Sequence, residues 1–381
     1  MIRIAAVSDL HLGMKFSSYP LVGSVLEEAR FTSLDRVVSI ANSEHADLLV
    51  VAGDLFDRRR VHEKAIRRCV ASLAEFEGAA IAVLPGNHDY SAGADEPPWG
   101  IFSRAAIDAR INLLLLNEER VYEIEVAGVN CIFLPGPCTS KHSDTHALEW
   151  ISALSDSGIP DSPLPNTGND RLVIGVAHGS VEGVSPDPDG RYYPMRLDDL
   201  SRISSAMWII GHTHIHRSEN LRSGQRLIVP GTHEPDGFDC RHPGSLYLID
   251  VSHDVTTVRN VECGAYRFLD LSLEVDSFDQ IVRDVDSKLE PFEPGTTLCR
   301  LILSGSLDGE DRAHYSNWRE AFPGTFFYAS IEDSSLRDRI TQASIDGRYV
   351  ERSFPHRLLS RLIDDPDALQ IAADYLERVS D

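Results

Sequence analysis

The sequence has almost no lysine. Lys15, Lys64, Lys141 and Lys288 are the full set, and Lys plus Arg reach 36 against 59 Asp plus Glu, a formal charge of -23. That balance excludes a protein coated in basic surface for indiscriminate nucleic-acid binding, so any contact with DNA has to be local. Long apolar runs are also absent, none approaching the roughly 18 residues a membrane helix needs. The opening residues, MIRIAAVSDL, carry no basic segment ahead of a long apolar core. No membrane association is expected, and the chain reads as a soluble cytoplasmic protein. The six cysteines (Cys69, Cys131, Cys138, Cys240, Cys263, Cys299) form no C-x-x-C pair. That excludes a structural zinc site and a secreted disulfide framework, and leaves reduced core thiols. No internal repeat is visible. What remains is 381 residues, 42% of them hydrophobic, enough for a large core and two domains.

The apolar pattern alternates strands with helices. Ile2 to Val7 is a short apolar run, Leu34, Val37, Val38 and Ala41 follow helical spacing, and Asp47 to Val51 is a second strand. A helix from about His62 to Phe76 leads to a third strand at Ala80 to Leu84, a β-α-β-α-β start of the kind that builds a helix-covered sheet. Residues 121 to 134 read as a hairpin turning at Ala127-Gly128, and Leu172 to Val176, Met207 to Ile210, Leu227 to Val229, Ser245 to Val251 and Val255 to Val261 as further strands. Ser155 to Asp170 and Glu182 to Pro194 are loop-forming stretches, read as surface excursions. From about Ala265 the pattern restarts as a smaller α+β unit ending in two short helices, with Asp365 as N-cap and Pro366 in the first turn of the last. The boundaries expected are 1–264 and 265–381.

Metal-type side chains sit just past the strand ends. Asp9 and His11 follow the first strand as D-L-H, Asp54 follows the second in GDLFD, and Asn87, His88 and Asp89 follow the third in GNHD. His178 follows the Leu172 strand, and His212 and His214 follow the Met207 strand in GHTHIH. C-terminal strand ends of an α/β sheet converge on one crevice, so these segments would meet. Asp9, His11, Asp54, Asn87, His178, His212 and His214 are too many donors for one ion. They suit two ions about 3.5–4 Å apart that share a carboxylate, for which Asp54 is the best placed. Alternating D-x-H and H-x-H would put both side chains on one side of an extended segment.

The ordered set D-x-H, G-D-x-x-D, G-N-H-D, a lone His and G-H-x-H resembles the calcineurin-like metallophosphoesterases. It spans about residues 7 to 216. The resemblance implies an α/β fold: a two-sheet metallophosphoesterase sandwich flanked by helices, with a smaller α+β capping domain. It also implies that one metal takes Asp9, His11, Asp54 and His214 and the other Asp54, Asn87, His178 and His212. The stretch VPGTHEPDGFDCRHPGSLYLIDV and the strand LCRLILSG are similar to SbcD-type DNA repair exonucleases, especially their YhaO-like members. That branch implies a DNA exonuclease or endonuclease, a homodimer, and an SbcC-like coiled-coil ATPase as partner. Asp57, where archaeal and eukaryotic members have His, fits the bacterial type.

Two divalent ions would hold the phosphate oxygens and lower the pKa of a water for in-line attack. Mixed nitrogen and oxygen donors suit Mn²⁺, Fe²⁺ or Zn²⁺ better than Mg²⁺, and the resemblance points to Mn²⁺. His88 is then the expected proton donor to the leaving oxygen, oriented by Asp57 or Asp89. Lys15, Arg58, Arg59 and Tyr90 are candidates for gripping a phosphate backbone or stacking a displaced base, against the plainer reading of a solvated loop. His233 and Glu234 read first as turn structure. The tail positions Leu369, Ala372, Ala373 and Leu376 read first as internal core and second as an ATPase-docking face. The competing function is a small-molecule phosphodiesterase, for example on cyclic nucleotides, favoured by the charge of -23.

Overall fold

The computed structural model describes residues 1–93, 95–151, 171–185, 187, 189–251 and 256–380. The loop-rich stretch 155–170 and the start of the strand expected at Val255 lie outside them. By its contacts the chain divides into two compact units, Met1–Arg267 and Phe268–Asp381.

Strands β1 (Ile2–Val7), β2 (Leu48–Ala52) and β3 (Ala80–Leu84) are nearly all apolar because both of their faces are covered. Successive side chains point to opposite faces. Ile4, Ala6, Val50 and Ala82 enter a core shared with a second sheet. Ala5, Val7, Val51 and Val83 instead meet the helices α1 (Gly23–Ser43), α2 (Glu63–Ala74) and α3 (Trp99–Asp108). Leu34, Val37, Val38 and Ala41 are the buried stripe of α1, as their spacing predicts.

The first sheet has β1, β2, β3 and β4 (Leu113–Leu115) in parallel. It is completed on the other side by β11 (Ser245–Val251) and β12 (Thr256–Glu262), both antiparallel to their neighbours. The second sheet begins with the hairpin β5 (Tyr122–Val126) and β6 (Val129–Gly136), then runs parallel through β7 (Arg171–His178), β8 (Met207–Gly211) and β10 (Arg226–Val229). Strand β9 (Arg217–Asn220) closes its edge antiparallel to β10. Its outer face packs Trp208 and Ile210 against Leu200 of α4 (Leu197–Arg202). The result is a mixed α/β sandwich of two six-stranded sheets with helices outside.

The second unit has a three-stranded sheet of β13 (Arg267–Val275), β14 (Thr297–Leu307) and β15 (Tyr328–Asp338). Helices α5 (Phe278–Leu289) and α6 (Gly309–Ala321) supply Ile281, Val285 and Tyr315 to its core. Three helices follow, α7 (Gln342–Arg348), α8 (Phe354–Arg361) and α9 (Pro366–Ser380), one more than the pattern predicts. Asp365 caps α9 by accepting from the Ala368 N–H at 3.1 Å. Leu369, Ala372, Ala373 and Leu376 pack inward with Ile345 and Leu359. All six cysteines are free and buried. Among the described residues no helix is long and apolar enough to cross a membrane.

Phe102 meets Phe56 and Trp99 edge to face, and Phe56 and Trp99 are tilted, with centroids 5.8–6.0 Å apart and all three rings fully buried beneath the loop that carries Asp54. Phe102→Ala is expected to destabilise this unit by about 3–5 kcal/mol, read as an earlier urea midpoint in tryptophan fluorescence.

Candidate metal centre

Because β1, β2 and β3 are parallel neighbours, the segments bearing Asp9, Asp54 and Asn87 leave the same edge of one sheet. Strands β7 and β8 end at His178 and Gly211, so the second sheet delivers His178, His212 and His214 to the same place. The loops are laced together through the main chain. The Asp9 N–H donates to Gly53 O at 3.1 Å, the His11 N–H to Asp54 O at 2.9 Å, and the Leu12 N–H to Leu55 O at 3.0 Å.

The backbone here is kinked. Asp9, His11, Asp54 and His212 have φ of 55°, 43°, 52° and 108°. This corrects the expectation of extended D-x-H and H-x-H segments: turns, not strand alternation, aim these side chains inward. Such left-handed conformations cost roughly 1–3 kcal/mol each and persist only where their surroundings hold them. Two glycines make room for the turns. A Cβ on Gly53 would lie 2.0 Å from His178 Nδ1, and one on Gly86 would lie 2.2 Å from Asp54 Oδ1.

The donors converge at hydrogen-bond distances. His178 Nε2 is 3.0 Å from Asn87 Oδ1 and 3.2 Å from Asp54 Oδ2. His212 Nδ1 is 3.1 Å from the same Asn87 oxygen. On the other side His11 Nε2 is 3.2 Å from His214 Nε2 and 3.7 Å from Asp54 Oδ2. Asp54 therefore stands between the two groups. One donor each from Asp9, His11 and His214, and one each from Asp9, Asp54 and His178, fit within 4.8 Å of one another. His11 Nδ1 is buried with no hydrogen-bond partner.

The electrostatics call for cations. Burial alone lowers the pKa of His178, but the Asp54 carboxylate outweighs it and pushes it up to about 9. Burial lowers His214 too, and Asp236 outweighs it, again to about 9. Burial would raise Asp54, yet His178 and the other imidazoles hold it well below the usual carboxylate range. His212, buried and facing His178, falls to about 3. Protons on His178 and His214 thus stand where divalent charge would serve better, and mixed carboxylate, amide and imidazole donors suit two divalent ions.

The remaining expected residues divide. His88 is exposed; its Nδ1 lies 3.0 Å from the Asp57 main-chain oxygen, and its ring meets His11 edge-on at 4.7 Å. Asp57 thus reaches the His88 ring through its carbonyl, while its carboxylate pairs with Arg58 at 2.5 Å. The Asp89 carboxylate makes its hydrogen bonds elsewhere. Asp89 is fully buried, and its carboxylate accepts from the Phe56 N–H at 2.9 Å and the Gly86 N–H at 2.8 Å, tying the GNHD turn to the GDLFD loop. Burial, then the charge of Asp54, pushes the Asp89 pKa up to about 8. Lys15 pairs with Glu27, Arg59 with Glu96 at 3.2 Å, and the Arg59 guanidinium lies over the Tyr90 ring at 4.7 Å. His233 and Glu234 are buried.

Two further residues join the site unannounced by the sequence. Arg30, on α1, is fully buried and donates to the carbonyl oxygens of Asp9, at 3.0 Å, and Leu10, at 2.7 Å. Asp236 lies 3.1 Å from His214 Nδ1. Arg30 reads as a polar position on an amphipathic helix and Asp236 as part of a Pro-Asp-Gly turn, so neither carries a local signal.

The family model for calcineurin-like phosphoesterases matches residues 2–216. The chain belongs to this family. It is therefore a metal-dependent phosphodiesterase, of a family that works with a dimetal centre. The uncharacterized metallophosphoesterase YhaO of Bacillus subtilis is 26% identical over 322 residues, covering 78% of this chain and 71% of that one. The DNA double-strand break repair protein Mre11 of Sulfurisphaera tokodaii is 22% identical over 315 residues, covering 80% of this chain and 73% of that one. Among solved structures, TT1561 of Thermus thermophilus aligns with a TM-score of 0.43 at 14% identity, over 68% of this chain and 98% of that one.

For this phosphodiesterase the raised imidazole values set a pH dependence. Below about 9 both His178 and His214 hold an extra proton, which an ion would have to displace if they are its donors. Metal affinity is expected to rise with pH up to that value, and binding at pH 7 to release about two protons. Calorimetry in buffers of differing ionisation enthalpy measures this; affinity independent of pH with no proton release would exclude both histidines as donors.

Proposed function

We propose that the chain is a dimetal-dependent DNA nuclease, hydrolysing phosphodiester bonds in DNA repair as an exonuclease or endonuclease. The observation that carries this reading is a cleft of about 450 Å³ next to the D-x-H loop, where Lys15, Arg58, Arg60, Lys64 and Arg68 outnumber Glu27 and Glu28, the partners of Lys15 and Arg68. In a chain of net charge -23 such a concentration is out of proportion, and the charge to match it is a phosphate backbone. The similarity to YhaO and Mre11 supports the same reading. It covers more of the chain than residues 2–216 and so continues beyond the phosphoesterase match.

In this reading one ion is held by Asp9, His11, Asp54 and His214, the other by Asp54, Asn87, His178 and His212; the donors suit Mn²⁺, Fe²⁺ or Zn²⁺, and the family resemblance points to Mn²⁺. When bound, the two ions offset the phosphate charge and lower the pKa of the attacking water. His88 works from the rim. The Asp57 carbonyl can only accept, so His88 Nδ1 carries a proton towards it, and Nε2 is the atom that in the imidazolium form would donate to the leaving oxygen. Asp57 acts through that carbonyl and Asp89 through the turn it holds. Lys15, Arg58 and Arg59, with Tyr90 beneath Arg59, guide the backbone towards the centre. Residues 1–264 are the nuclease domain and 265–381 the capping domain. A cytoplasmic homodimer with an SbcC-like ATPase completes the proposal.

The test is Mn²⁺-dependent turnover on labelled duplex and single-stranded DNA, beside bis-p-nitrophenyl phosphate and cyclic AMP. Asp54→Ala is expected to abolish cleavage. His88→Ala is expected to slow DNA cleavage about 10²–10⁴-fold while leaving metal binding intact. Hydrolysis confined to the small substrates would overturn the nuclease reading in favour of a small-molecule phosphodiesterase.

A further inference from the structure

The histidines of the centre differ in how their outward nitrogen is held. His178 turns Nδ1 to the Ala52 carbonyl oxygen at 3.0 Å, which fixes that proton and leaves Nε2 facing inward. His214 also faces inward with Nε2, but its Nδ1 meets a carboxylate. Asp236 places Oδ2 at 3.1 Å and Oδ1 at 3.4 Å from it. The Asp236 side chain is only 7% exposed, and it sits 22 residues along the chain, on the arm that follows β10.

That arm is rigidly built. Thr232 donates from Oγ1 towards the Asp9 carbonyl oxygen at 3.0 Å. Arg30 donates to the Glu234 carbonyl oxygen at 3.0 Å and to Thr232 Oγ1 at 3.1 Å, and its guanidinium is 4.0 Å from Asp236 Oδ2. The Glu234 carboxylate accepts from the Ala265 N–H at 2.7 Å, the Tyr266 N–H at 2.9 Å, and the Ser33 hydroxyl. One buried cation thus holds both the D-x-H backbone and the segment that carries Asp236.

We infer that Asp236 is a positioning residue of the metal centre. By accepting the Nδ1 proton of His214 it fixes the tautomer and the ring orientation that aim Nε2 at the position shared with Asp9 and His11. A carboxylate behind a ligating imidazole also makes the ring a better donor. The other imidazole with a fixed outward proton, His178, has a carbonyl behind it, so the two metal positions are tuned differently. The inference rests on the proposed reading of His214 as a ligand.

The experiment is a Mn²⁺ titration of the metal-free full chain by calorimetry, with Asp236→Asn, Asp236→Ala and His214→Ala, alongside the melting temperature of each metal-free variant. Asp236→Asn keeps an acceptor but loses the charge; it is expected to weaken one of two binding events about 10-fold, and Asp236→Ala up to about 100-fold. The other event and the metal-free melting temperature of Asp236→Asn should stay at wild-type values. Equal weakening of both events with a lowered melting temperature would make Asp236 a structural residue and overturn the inference. So would wild-type affinity in both Asp236 variants while His214→Ala binds weakly. Wild-type affinity in His214→Ala would instead overturn the ligand reading beneath it.

Discussion

Asp54 is the constraint on which this molecule turns. Its carboxylate is buried between His11 and His178, within 3.7 Å of both, and its other oxygen accepts the His88 N–H at 2.8 Å. A carboxylate in such a place is tolerable only with positive charge at hand. Without metal that charge arrives as a proton on His178, whereas burial holds the His11 pKa well below its ordinary value. Everything that shapes the loops around Asp54 keeps several donors within reach of it at once, a requirement that competes with packing, since each donor is polar and Asp9, His11, Asp54, Asn87 and His178 are buried.

The sandwich meets that requirement by keeping regular structure and donor geometry apart. Within the strands, alternation sends apolar side chains to a core on either face, and the ligand-type residues begin where the strands stop. Kinked turns at Asp9, His11 and Asp54 then depart from strand geometry, and neighbouring main chains hold them. Asp89 shows how far this goes. Its carboxylate serves two backbone N–H groups on separate loops, so a residue of the GNHD motif ties the two together.

Much of this was legible in the sequence. Continuous apolar runs of five or six residues can only be strands covered on both faces, and the polar residues directly after them had to lie at one edge. The order of the strands was not legible: β11 joins β1 across most of the unit, and nothing local in SLYLIDV says so. Helix α3 begins at Trp99 after two prolines with no side-chain cap, and β9 has no apolar residue, so neither has a local signature. In the site, donors with a family spacing could be found, whereas Arg30 and Asp236 could not, because their meaning depends on a meeting 206 positions apart in the chain.

The arm from Thr232 to Asp236 explains why a guanidinium is buried so near the proposed ions, where its charge would repel them. Arg30 spends four of its five N–H donors on carbonyl oxygens of Asp9, Leu10 and Glu234 and on Thr232, with the Asp236 carboxylate 4.0 Å away. With the imidazoles neutral, as metal binding would leave them, Asp9, Asp54 and Asp236 against Arg30 carry a net charge of about -2 apart from the ions. Two divalent ions would turn that into about +2, which a phosphodiester anion and an attacking hydroxide would bring to neutrality. Without Arg30 the same site would reach only about +1 and hold its anionic reactants less firmly. The buried arginine is therefore compatible with both tasks, bracing the D-x-H turn and leaving the loaded centre positive enough to draw a phosphodiester into an otherwise acidic protein.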